Sequence, residues 1–93
     1  MEWTHVEGKD AGNVKLYALS TCIHCKKTKE FLKNSGVAFD FVFVDLLEEK
    51  ELSEVYGDVK KFNPAGSFPT IVINGDNVIV GSKLNEISEA LCL

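Results

Sequence analysis

The sequence predicts an α/β domain, a mixed central sheet with helices on both faces, in the order β-α-β-α-β-β-α. An apolar stretch, Val14 to Leu19, runs straight into an amphipathic segment that opens with Cys22 and Cys25. A second strand-like run, Phe39 to Asp45, is followed by another amphipathic segment, which gives the start of a right-handed parallel crossover. Two branched runs, Thr70 to Ile73 and Asn77 to Val80, flank Asn74-Gly75-Asp76, the strongest hairpin signal in the chain. The hairpin adds antiparallel neighbours, so the sheet is expected to be mixed.

The first predicted strand, Val-Lys-Leu-Tyr-Ala-Leu, is bounded by Gly12-Asn13 and Ser20-Thr21. From Cys22 to Asn34 the residues Cys25, Thr28 and Leu32 recur at helical spacing, charged residues fill the other positions, and Ser35-Gly36 ends the run. The near-continuous apolar character of Phe39 to Asp45 suits a strand inside the sheet, covered on both faces. Leu52, Val55, Tyr56, Val59 and Phe62 fall three and four apart and predict a second helix despite Gly57, stopped by Asn63-Pro64-Ala65-Gly66. Ser82 is a candidate cap for a last helix with Leu84, Ile87 and Leu91 as its apolar stripe. Residues 1–13 stand apart as an N-terminal extension, either a tail or a short extra strand, before a domain spanning residues 14–93.

Ninety-three residues leave room for one domain, and the 45% hydrophobic and 26% charged shares are those of an ordinary globular protein. A net charge of −4 argues against nucleic acid as the main partner, because phosphate binding needs a basic surface. No apolar run approaches the roughly 18 residues that a bilayer-spanning helix requires. Met1-Glu2-Trp3-Thr4-His5 lacks a signal peptide's basic start and apolar middle, which points to a cytoplasmic location without membrane partners, and nothing in the sequence demands more than a monomer.

Of three cysteines, Cys22 and Cys25 form a C-x-x-C pair, while Cys92 near the C-terminus is expected to be a half-buried apolar residue. Attack on a disulfide requires a thiolate, and an unperturbed cysteine with a pKa of about 8.5 is mostly protonated at neutral pH. A strand-to-helix turn supplies what is needed, because unpaired N–H groups and the positive end of the helix dipole face Cys22. His24 and Lys26 add positive charge within the same turn, although His24 equally suits an exposed residue and Lys26 a solvated helix face. The spacing of three places Cys25 one turn further along the same face, where it can resolve a mixed disulfide formed at Cys22. The competing readings are half a zinc site or two buried structural cysteines. A second C-x-x-C is missing, and His5, His24 and Cys92 lack the spacing of a paired knuckle, so no metal site is expected.

Three segments together resemble the glutaredoxin family: Tyr17-Ala18-Leu19-Ser20-Thr21-Cys22-Ile23-His24-Cys25, then Ser67-Phe68-Pro69-Thr70, then Val80-Gly81-Ser82. The resemblance covers Val14 to about Leu91 and implies a thioredoxin-like fold. It further implies a thiol–disulfide oxidoreductase of the protein-disulfide reductase type, with Cys22 and Cys25 catalytic. By the same resemblance the proline at Pro69 is cis and faces the cysteines, and the backbone at Phe68 pairs with an extended substrate. Thr21, His24, Gly81, Ser82 and Lys83 complete the candidate substrate-binding set, with Lys83 suited either to an acidic partner surface or to a solvated helix start.

Glutathione-using relatives usually carry a lysine three positions before the first cysteine and a Gly-Gly-x-Asp-Asp-like turn before the last helix. Leu19 and Val80-Gly81-Ser82-Lys83-Leu84 occupy those places here, so the cation and the acidic pair are absent. That departure points to a flavoprotein thioredoxin reductase or another small thiol as reductant, with glutathione as the alternative and no tightly bound cofactor. Ile23-His24 also lacks the proline common between the cysteines. Some relatives without it bind a [2Fe–2S] cluster between two subunits, with glutathione as an outside ligand, and this is the second functional expectation.

Overall fold

A computed structural model describes residues 3–93. Its elements are β1 (Thr4–Val6), β2 (Val14–Ala18), α1 (Ile23–Asn34), β3 (Phe39–Phe43), α2 (Glu49–Phe62), β4 (Thr70–Ile73), β5 (Asn77–Val80) and α3 (Leu84–Ala90). The strands lie in the order β1-β3-β2-β4-β5. Through α1, β2 crosses over to a parallel β3, with Leu16 beside Phe41. β4 runs antiparallel to β2, β5 antiparallel to β4, and β1 antiparallel to β3. The sheet is mixed because only the crossover connection yields parallel neighbours.

Alternation along the strands divides the core in two. On one face Leu16, Ala18, Phe39, Phe41, Ile71 and Ile73 pack against Cys25 and Leu32 of α1 and against Ile87 of α3. On the other, Tyr17, Val42, Val44 and Val72 pack against Val55 and Val59 of α2. Both faces of β2 are thus covered, and the predicted stripe Cys25, Thr28, Leu32 is the buried face of α1. α2 runs through Gly57, with Glu49 and Glu51 in its first turn and Lys60 and Lys61 in its last, each sign matching the helix dipole.

The hairpin turn has Asn74 at φ 55° and Gly75 at φ 79°, the successive positive values that a tight turn between twisted strands demands. Within the N-terminal extension, Thr4–Val6 forms an edge strand, with Thr4 opposite Phe41 and Val6 opposite Phe39. The chain that follows is tied down by the Lys9 N–H on the Gly36 carbonyl at 2.7 Å.

Three local expectations need correction. The strand expected to reach Asp45 ends at Phe43, and Val44–Leu46 forms a single 3-10 turn whose Asp45 carboxylate accepts from the N–H and hydroxyl of Ser20. Ser82 does not cap α3. Lys83 occupies that position with no side-chain cap, and the Ser82 hydroxyl turns toward His24. Cys92 is exposed rather than half-buried. It takes φ 58° just beyond α3, with the Leu93 N–H on Ser88 C=O at 2.8 Å and its own N–H on Glu89 C=O at 3.2 Å. This left-handed helix ending sends the side chain outward.

Candidate active site

β2 delivers the chain to the edge of the sheet, where Leu19-Ser20-Thr21 turns back into α1. Two bonds make the turn: Cys22 N–H donates to Leu19 C=O at 3.3 Å, and Ser20 N–H donates to Asp45 at 2.9 Å. The Ser20 hydroxyl holds the Asp45 carboxyl below the usual carboxylate range, so the anchor is a charged acceptor at neutral pH. Cys22 is then the N-cap of α1, with extended φ −90° and ψ 118°. Its Sγ accepts the Cys25 N–H at 3.2 Å, taking the place that a serine or aspartate oxygen holds in ordinary caps.

The two sulfurs differ sharply. Cys22 is partly exposed, whereas Cys25 retains 1% of its surface. Burial, reinforced by the contact with Cys22, pushes the Cys25 thiol up to about 12, and this sulfur holds its proton at neutral pH. Geometry therefore offers Cys22 to solvent with a donor aimed at it and keeps Cys25 behind it as a thiol.

At the end of the sheet where β2 leads into the cysteine turn, β4 begins beside β2, with Thr70 paired to Tyr17. The Phe68–Pro69 peptide preceding it is cis. Pro69 C=O accepts the Gly81 N–H at 2.9 Å, which ties the turn before α3 to the proline. Ser82 Oγ lies 3.3 Å from His24 Nδ1, which ties that same turn to the cysteine segment. His24, Gly81, Ser82 and Pro69 are thereby linked around one end of the sheet. Thr21 and Lys83 lie exposed at its rim, and Lys83 Nζ is 3.8 Å from Glu86 of its own helix.

A further group, around Asn63, carried no sequence signal beyond that of a helix stop. The buried Asn63 amide reaches Ser67 O and Ser67 Oγ at 3.1 Å each and Thr70 Oγ1 at 3.2 Å, while its carbonyl accepts the Ala65 N–H. Tyr56 adds its hydroxyl to Gly66 C=O at 3.3 Å and lays its ring along Phe68, 6.2 Å between centroids. Asn-Pro reads as a breaker in sequence, and only the fold reveals that the amide is buried. Among the described residues, no group of three or more His, Cys, Asp or Glu side chains is placed to hold a metal ion.

Residues 14–78, most of the chain, match the sequence model of the glutaredoxin family. The chain belongs to the glutaredoxin family. A glutaredoxin-like 8.6 kDa protein from the rubredoxin operon of Clostridium pasteurianum, itself uncharacterised, is 35% identical over 78 residues, 84% of this chain and 96% of that one. The crystal structure of a glutaredoxin from Methanosarcina mazei superposes with a TM-score of 0.91 at 50% identity, covering 100% of this chain and 90% of that one. Methanosarcina acetivorans methanoredoxin gives a TM-score of 0.94 at 48% identity, covering 100% and 97%. These likenesses establish a thioredoxin-like glutaredoxin fold that carries a C-x-x-C pair and support a thiol redox function in general, with thiol or disulfide partners and glutathione or another thiol as the family's general reductant. No helix among the described residues is long and apolar enough to cross a membrane.

Proposed function

We propose that this glutaredoxin is a dithiol oxidoreductase that reduces protein or small-molecule disulfides by Cys22 attack and Cys25 resolution. The observation that carries the reading is the asymmetry of the sulfurs: Cys22 partly exposed and accepting an N–H at 3.2 Å, Cys25 buried where loss of solvent raises its pKa. A sulfur at the start of a helix, facing an N–H, is where negative charge is best accommodated. The Cys22 thiolate attacks one sulfur of the substrate disulfide, that bond breaks, and the first substrate thiolate leaves as the mixed disulfide forms. Cys25 then attacks Cys22 Sγ, giving up its proton to the departing second thiolate. The Cys22–Cys25 disulfide left behind takes two electrons and two protons from the reductant.

In this reading the Phe68 backbone is the docking edge for an extended substrate, with Pro69, Gly81, Ser82 and His24 shaping the groove and Thr21 and Lys83 at its rim. The reductant is a flavoprotein thioredoxin reductase or a small thiol other than glutathione. Two features support that choice. Leu19 packs against the α2-face core where a glutathione-binding cation is otherwise found, and Lys83 lies beside Glu86. The same two features weigh against a [2Fe–2S] carrier, which needs glutathione as an outside ligand. The test compares reduction of a model disulfide by NADPH with thioredoxin reductase against NADPH with glutathione reductase and glutathione. Faster turnover is expected in the first. Turnover confined to the second would overturn the assignment of Leu19 and Lys83.

A further inference from the structure

We propose that Asn63 and Thr70 are positioning residues that aim the Phe68 N–H outward, as a backbone donor fixed in direction for a carbonyl of a bound substrate peptide. The inference rests on the reading of Phe68 as the docking edge and identifies what holds that edge.

The argument turns on one peptide plane. The Ser67–Phe68 peptide is trans, so its C=O and its N–H point in opposite directions. Two donors seize the Ser67 C=O: Thr70 Oγ1 at 2.8 Å and Asn63 Nδ2 at 3.1 Å. Both side chains are buried, with Asn63 at 5% exposure and Thr70 at 0%. The amide cannot flip without cost, because Asn63 Oδ1 accepts the Ala65 N–H at 3.2 Å. Asn63 Nδ2 also reaches Thr70 Oγ1, so the threonine hydroxyl accepts on one side while it donates on the other, and each bond polarises the next.

Both holders have firm footings. Asn63 closes α2 through its N–H on Val59 C=O at 2.7 Å, and Thr70 lies inside the sheet between Tyr17 and Val80. With the C=O pinned inward by a helix end and a strand, the Phe68 N–H must face away from them. Among the described residues it has no hydrogen-bond partner. On the C-terminal side Pro69 has no N–H to donate, and its C=O is not free to accept because it already takes the Gly81 N–H. A substrate segment laid along this loop thus meets at Phe68 a donor whose direction is fixed, suited to the backbone carbonyl of a peptide next to its reacting cysteine.

The experiment compares Thr70→Val with Thr70→Ser on two substrates: a disulfide-linked peptide, and dithiodipyridine, which reacts with Cys22 yet offers no amide carbonyl. Thr70→Val is expected to lower kcat/KM about tenfold on the peptide, the loss of roughly one well-aligned hydrogen bond, and to leave the dithiodipyridine rate within about twofold. Thr70→Ser restores the peptide rate. An equal loss on both substrates, or no loss on the peptide, overturns the positioning role. Should wild type reduce neither substrate, the functional reading fails on its own. The positioning is then read from the Phe68 amide resonance by NMR, which moves in Thr70→Val if the hydroxyl sets that plane; an unmoved resonance overturns it. Asn63→Ala, which removes the other donor, serves the same comparisons if Thr70→Val does not fold.

Discussion

The turn that carries the cysteines, residues 19–26, is held by short-range bonds of its own and one outside anchor, Asp45 on Ser20, whereas the loop of residues 63–70 is held by side chains brought from α2 and β4. In the turn, Cys22 N–H finds Leu19 C=O, Cys22 Sγ finds Cys25 N–H and Lys26 N–H finds Cys22 C=O, all within four residues. In the loop, Asn63, Thr70 and Tyr56 converge from a helix end, a strand and the middle of a helix. The difference suggests a division of labour. The turn sets the chemistry of sulfur through the start of a helix, and the loop sets geometry through a buried polar network that must be satisfied throughout.

The largest effects belong to the turn. Cys22→Ser is expected to abolish disulfide reduction, whereas Cys25→Ser performs the first step and accumulates a mixed disulfide with substrate, detectable as a covalent adduct by mass spectrometry. No adduct at Cys22 in the Cys25→Ser protein would remove the distinction between the sulfurs. A hydroxyl replacing a thiol that is 1% exposed also costs about 1–3 kcal/mol of stability, so the variant is assayed below its own melting transition.

The same contrast decides how much was legible in the sequence. The spacing Cys22-x-x-Cys25 within a strand-to-helix turn carries its own geometry, and periodicity alone marked Cys25, Thr28 and Leu32 as one face of α1. The hairpin at Asn74-Gly75 was readable for the same reason, since its positive φ values are local demands. Asn63 and Tyr56 were not. Asn63 reads as a stop before Pro64, and Tyr56 as one more apolar position on α2; their bonds to the loop exist only once α2 has packed on the sheet. Ser82 was misread in kind, as a cap for α3, because its partner His24 lies 58 positions earlier and no local rule connects them.

A smaller effect separates the regions by titration. In the folded reduced protein the Cys25 thiol keeps its proton up to about 12, while in the unfolded chain it loses it near 8.5. Between those values the unfolded state binds fewer protons than the folded one, so stability falls as pH rises, by about 1.4 kcal/mol per unit. Urea unfolding of the reduced protein at pH 8 and pH 10 is expected to show a loss roughly 2 kcal/mol larger in wild type than in Cys25→Ala. Thr70→Val keeps the wild-type slope, because neither Asn63 nor Thr70 titrates. Equal slopes in wild type and Cys25→Ala would mean that the buried thiol is not what distinguishes the turn.

The smallest effect tests whether the loop can be disturbed without touching the sulfur. Gly66 sits at φ +62°, and a Cβ there would run into Tyr56 Oη. Gly66→Ala is expected to cost about 1–2 kcal/mol, a left-handed backbone penalty plus displacement of the tyrosine, seen as a lower melting temperature by calorimetry. The rate of Cys22 alkylation by iodoacetamide should not change, since no hydrogen bond of the turn passes through Gly66. Tyr56→Phe in the Gly66→Ala background removes the hydroxyl that the new methyl would meet, so it recovers much of the steric loss, the ring Cζ at 3.0 Å remaining tight, and leaves the backbone part. Full recovery would make the clash, not the left-handed backbone, the reason a glycine stands here. A changed alkylation rate would show that strain in the loop reaches the sulfur and that the two regions are coupled.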